Sequence, residues 1–152
     1  MVISIKRLII TAICITSAIL LSGCPWRQMK IYPDETATAS LKGDSLCFSI
    51  PDASGYYPVF LSINPRNTPS KEKTFIDKPD MQIVNRSLCI PPAVYTFPEE
   101  SRFPYIVEFI LRSKDNHPRH FVTGFEIRNG KPYEIHLTDR EIFRSQGKMD
   151  NK

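Results

Sequence analysis

Three apolar series of period two follow one another in the last third of the chain: Tyr105, Val107, Phe109 and Leu111, then Phe121, Phe125 and Ile127, then Tyr133, Ile135 and Leu137. Period two marks a strand with one buried face. Polar residues 113–119 separate the first two series. Asn129-Gly130 separates the last two, and this dipeptide readily takes the positive φ angles of a tight hairpin turn. The pattern predicts a three-stranded meander. The 13 prolines among 152 residues exclude a helical bundle, because proline removes a backbone donor and breaks helix interiors.

The rest of the chain reads the same way. Residues 36–42 alternate weakly, Gly43-Asp44 supplies a two-residue turn, and residues 45–50 form the second arm of a hairpin. After a breaker cluster at residues 51–55, Tyr57, Val59, Leu61 and Ile63 place a long strand. Residues 64–73 hold two prolines, two asparagines and four charges, the composition of an exposed loop. Residues 74–76 and 81–84 read as short edge strands, and residues 87–90 as a better strand that stops at Pro91-Pro92. Strands about ten residues apart with turns between them predict an all-β fold, a small antiparallel β-sandwich resembling immunoglobulin-like domains. Residues 139–152 can begin one helical turn before a polar tail.

The first two dozen residues carry an address. Lys6 and Arg7 precede an uncharged, mostly apolar run from Leu8 to Leu20, too short for the roughly 20 residues of a membrane-spanning helix. Leu21-Ser22-Gly23-Cys24 follows at once. A basic start, an apolar run, Leu-Ser-Gly and a cysteine in that order resemble the lipobox of bacterial lipoprotein signals. The resemblance implies cleavage before Cys24 and acylation of Cys24. Two or three acyl chains, each giving about 0.8 kcal/mol per buried methylene, form a stable anchor. Pro25 at the second mature position favours the periplasmic face of the outer membrane. The expected organisation is a signal peptide over 1–23, a lipidated N-terminus and tether over 24–35, a β-sandwich over 36–140 and a polar tail over 141–152.

Once the signal leaves, 18 basic residues face 16 acidic ones, a formal charge of +2 over 129 residues. A nearly neutral chain without a Lys/Arg stripe excludes a nucleic-acid partner. Cys14 departs with the signal and Cys24 is consumed by lipid, so Cys47 and Cys89 are left to form one disulfide in an oxidising compartment. In Leu46-Cys47-Phe48 and Leu88-Cys89-Ile90 each cysteine alternates with large apolar neighbours. If those neighbours face the core, both sulfurs face outward, and only neighbouring strands of one sheet bring them within reach.

Residues that carry chemistry are sparse. His117 and His120 straddle a proline in a loop with no third ligand nearby, so no metal site is expected. His136 falls on the polar face of its strand, and Glu99-Glu100 abuts a proline in a loop. No nucleophile motif or phosphate-cradling loop is present, so neither an enzyme, a cofactor nor a small-molecule substrate is inferred.

Gly43-Asp44-Ser45-Leu46-Cys47, Leu88-Cys89-Ile90-Pro91 and Tyr105-Ile106-Val107-Glu108-Phe109, together with the lipobox, resemble the type VI secretion immunity periplasmic lipoproteins of enteric bacteria. The resemblance implies a lipid-anchored β domain that binds and neutralises a protein toxin, and it carries over no binding residues. The alternative from another class is an envelope lipoprotein with a structural or assembly-assisting role. Charged loops on a β scaffold are the natural contact candidates. They are Arg66, Lys71, Glu72 and Lys73 in one loop and Lys114, Asp115 and Arg119 in another.

Overall fold

A computed structural model describes residues 33–143. They form nine strands and one helical turn: β1 (Ala39–Lys42), β2 (Ser45–Ser49), β3 (Tyr57–Pro65), β4 (Phe75–Asp77), β5 (Ile83–Val84), β6 (Ser87–Ile90), β7 (Tyr105–Arg112), β8 (Arg119–Arg128), β9 (Lys131–Glu134) and α1 (Asp139–Ile142). No helix among the described residues is long and apolar enough to cross a membrane. The signal, Cys24 and the end of the tail lie outside the described residues.

The strands form two antiparallel sheets, ordered β1-β2-β6-β5 and β4-β3-β7-β8-β9. With β1, β2, β6 and β5 as A, B, E and D, and β3, β7 and β8 as C, F and G, this is the immunoglobulin strand order. β4 and β9 extend the second sheet at either edge. The expected β-sandwich is therefore present, and residues 105–134 are the meander that their alternation predicts.

The core lies between the sheets. Leu46, Phe48, Leu88 and Ile90 from one face Leu61, Ile63, Val107, Phe109, Leu111, Phe121 and Phe125 from the other. Aromatic rings run through it: Phe109 stacks on Phe121 at 4.8 Å between centroids, and Phe48 lies 5.5 Å from Phe109. Cys47 and Cys89 are directly opposed on β2 and β6, with 4.0 Å between Cα atoms, and form a disulfide. The bond thus joins neighbours within one sheet, where immunoglobulin domains bridge two sheets.

Three two-residue turns set hairpin registers. Gly43-Asp44 links Lys42 to Ser45, Asn85-Arg86 links Val84 to Ser87, and Asn129-Gly130 links Arg128 to Lys131. The last two have positive φ at both positions, as a I′ turn requires.

Two strand readings need correction. Tyr57 and Val59 do not share the core face with Leu61 and Ile63. A β-bulge shifts the register between Pro58 and Phe60, so Pro58 is buried and Tyr57 is exposed. One extra residue flips every side chain on one side of it. Ile135 and Leu137 do not continue the third strand either, because β9 stops at Glu134. The chain then turns over the outer face of the five-stranded sheet, where Leu137, Ile135 and Ile142 pack with Ile106 and Val122 as a second apolar cluster. Gly124 makes room for this strap: a Cβ there would lie 2.8 Å from both Ile135 Cγ1 and Leu137 Cδ2.

β9 covers only the second half of the edge of β8. The N-terminal segment takes the first half, in parallel: Glu35 N–H donates to the His120 carbonyl (2.8 Å), and Val122 N–H donates to the Glu35 carbonyl (2.9 Å). The Thr123 hydroxyl donates to the Ala37 carbonyl (2.9 Å), and Asp34 N–H donates to the Ile142 carbonyl (3.0 Å). Glu35, which sequence places in the tether, is therefore built into the sheet edge.

Candidate protein-binding surface

The two charged loops singled out by sequence lie at opposite ends of the sandwich. β3 runs from Tyr57, opposite Arg112, to Pro65, opposite Tyr105. Residues 66–74 follow Pro65 and residues 113–118 follow Arg112, so the length of β7 separates the loops, roughly 25 Å at the rise of a strand. They do not form one contact surface.

Several of their charges are engaged within the domain. Arg66 makes a two-pronged ion pair with Glu141 of α1, Nε to Oε1 at 2.9 Å and Nη2 to Oε2 at 2.7 Å. Burial alone would raise the Glu141 pKa, but hydrogen bonds from Arg66 and Thr138 outweigh it and hold the carboxyl at about 2. Lys73 pairs with Glu108 at 3.2 Å. Arg119 grips Glu35 through Nε (2.7 Å) and Nη2 (2.5 Å) and donates to the Pro51 carbonyl (2.7 Å). The Arg119 guanidinium lies 4.9 Å from the Phe121 ring centroid. The hydrogen bond to Glu35 raises the Arg119 pKa. Lys71, Glu72, Lys114 and Asp115 are exposed.

The loop at 66–74 is also held firmly. Asn64, only 4% exposed, donates through Nδ2 to the Thr74 carbonyl (3.0 Å) and accepts from Thr74 N–H (2.9 Å). A side-chain amide copying a backbone pair in this way closes the loop at its base.

The histidines fall where they do not meet: His117 in a loop, His120 on β8 and exposed His136 on the strap. Among the described residues, no group of three or more His, Cys, Asp and Glu side chains is placed to hold a metal.

A feature missed at the sequence level lies at the end shared with loop 66–74. A groove of about 260 Å³ opens between the β1–β2 turn and residues 92–99, with Leu41, Leu46, Tyr95, Phe97, Pro98 and Ile127 in its lining. Leu41 is 42% exposed. Tyr95 and Phe97 rings sit 4.6 Å apart, and Phe97 meets Phe125 edge-on at 5.7 Å, so the wall is continuous with the core. Burial, helped by a hydrogen bond to Tyr105, pushes the Tyr95 hydroxyl up to about 12.

Backbone bonds hold that wall in place. Val94 N–H donates to the Pro91 carbonyl (2.9 Å), Gly130 N–H to the Glu99 carbonyl (2.8 Å), and Ser101 N–H to the Ile127 carbonyl (2.9 Å). The Asn129 N–H donates to the Glu100 carboxylate (2.6 Å). Groove residues come from three separate stretches of chain, 41–46, 92–99 and 127–130, so no local pattern announces them. The one signal was the run Pro91-Pro92 to Pro98, with Tyr95 and Phe97 inside it. A second cavity, of about 270 Å³, lies between residues 36–38, β8 and the strap.

Residues 34–130 match a family described as a domain of unknown function, DUF7480. The chain belongs to that family. The DUF7480 match takes in the groove and both charged loops and stops at Gly130, so β9, the strap and α1 lie beyond it. No curated protein and no solved structure matches the chain.

Proposed function

We propose that this DUF7480 protein is a lipid-anchored periplasmic lipoprotein of the outer membrane whose β-sandwich binds and neutralises a toxin delivered by type VI secretion. The observation that carries the binding part is the groove beside the β1–β2 turn: exposed Leu41 and half-buried Tyr95 and Phe97 on walls pinned by backbone hydrogen bonds. A rigid scaffold with such a surface loses little freedom on binding. The anchoring part rests on the order Lys6-Arg7, apolar run, Leu-Ser-Gly-Cys, and the toxin part on the family resemblance of residues 43–47, 88–91 and 105–109.

Two experiments test the proposal. Cys24→Ser should release the protein from the membrane fraction and remove the mass of the acyl chains; retention at unchanged mass overturns the anchor. Expression in a strain susceptible to a candidate type VI effector should protect it. Full killing despite correct localisation, with no complex recovered, overturns immunity and favours the envelope-assembly role.

A further inference from the structure

We infer that the groove between the β1–β2 turn and residues 92–99 receives a cationic side chain, lysine or arginine, flanked by apolar residues on an exposed segment of the protein partner. The inference rests on the proposed toxin-binding role and names the place and chemistry of contact.

Charge complementarity selects this occupant. The only charged residues in the lining are Asp44 and Glu99, both exposed, and no lysine or arginine lines it. Neither carboxylate has an ion-pair partner among the described residues, whereas Arg66, Lys73 and Arg119 elsewhere on the domain are all paired. The two carboxylates come from the two elements that border the groove, Asp44 from the β1–β2 turn and Glu99 from the loop preceding β7. Leu41, Leu46, Phe97 and Ile127 share the lining with them.

This is an amphipathic slot. An apolar floor suits the methylene stem of lysine or arginine, and a carboxylate at each side suits its charged head. An acidic segment would meet like charge at Asp44 and Glu99, and a purely polar one would cover the apolar lining without return. A volume near 260 Å³ fits one long side chain and part of a neighbour rather than a helix. The slot is also prepared in advance, because Glu99 is fixed through its carbonyl to Gly130 and Glu100 through its carboxylate to Asn129.

The test measures binding of the mature chain to a purified candidate type VI effector, at low and high salt. Two variants change exposed side chains only: the double charge reversal Asp44→Lys with Glu99→Lys, and Thr96→Trp, which fills the groove from its rim. Thermal melts establish that both fold. The charge reversal should weaken binding at least about tenfold and abolish most of the salt dependence of association. Thr96→Trp should weaken it similarly while leaving the salt dependence intact. If wild type binds and both variants bind equally tightly, the toxin is held elsewhere; the inference falls and the immunity reading stands. If wild type neither binds nor protects, both fall. If sedimentation shows a wild-type dimer that Thr96→Trp dissolves, a second copy fills the groove and the inference is overturned.

Discussion

Arg66 and Glu141, 75 residues apart, meet in a two-pronged ion pair that fastens α1 to the loop following β3. The side chains are 25% and 20% exposed, so the pair is screened only in part. Thr138 completes the clip by donating its N–H (2.7 Å) and hydroxyl (2.9 Å) to the same carboxylate; the N–H contact is the Glu141 half of the capping box of the helical turn.

The sign of its pH dependence follows from the direction of the shift. Folding lowers the Glu141 pKa from 4.5 to about 2. Between those values the unfolded chain binds more protons, so the contribution is fully present above about pH 5 and is lost as pH falls toward 2. Partial solvation cuts the stabilisation to about 1–2 kcal/mol. Glu141→Gln should therefore unfold at lower denaturant concentration than wild type at pH 7, and the gap should close by pH 2. A gap that stays constant with pH contradicts this account.

Gly124 sits under the strap, where a Cβ would lie 2.8 Å from Ile135 Cγ1 and Leu137 Cδ2. A side chain at this position would force both of them to shift, and overpacking of this kind costs about 1–3 kcal/mol. Gly124→Val should lower the unfolding midpoint and raise hydrogen exchange across residues 135–143, with β2 and β6 unaffected. Uniform loosening of both sheets would argue against a locally held strap.

The glycine and the strap also mark where the sequence stops being legible. Alternation places β7 and β8 well, because each buries one face along its whole length. It continues through Ile135 and Leu137, yet those residues lie over the outer face. A strap that packs alternate side chains onto a sheet repeats the period of a strand, and only the hydrogen-bond ladder separates the two. The bulge at Val59 is invisible for a related reason: Tyr57 and Val59 are as apolar as the residues after the shift. The cysteine geometry could be read ahead because large neighbours on both sides fix the outward face. The groove could not, since Leu41, Tyr95 and Ile127 converge only through tertiary packing.

The disulfide closes a 42-residue separation, for which the chain-entropy account gives on the order of 4 kcal/mol. Cys47 is 1% exposed and Cys89 is half-buried, so in the folded sheet reductant can approach the bond only from the Cys89 side and is hindered until the sheet opens. Dithiothreitol alone should reduce the native protein slowly, and moderate urea should accelerate it steeply. The Cys47→Ala, Cys89→Ala variant should keep a β-rich spectrum, because β2 and β6 remain paired through their backbones, while its unfolding midpoint drops. Rapid reduction without denaturant would mean that the sulfurs are more accessible than this packing allows.

The turn between β5 and β6 offers a stabilising substitution. Asn85 and Arg86 have φ of 50° and 58°. Asparagine visits this left-handed region readily, but an ordinary side chain such as arginine pays about 1–2 kcal/mol there. Glycine removes that strain and returns part of the gain through greater freedom in the unfolded chain. The Arg86 carbonyl, which accepts from Ile50 N–H at 2.8 Å, is retained by any residue at this position. Arg86→Gly should thus stabilise the domain by about 0.5–1 kcal/mol, read as a higher midpoint at unchanged slope in urea. Arg86→Val, β-branched and still less suited to positive φ, should destabilise it. If the glycine variant is no more stable than wild type while the valine variant is equally tolerated, the turn does not hold position 86 in the left-handed region in solution.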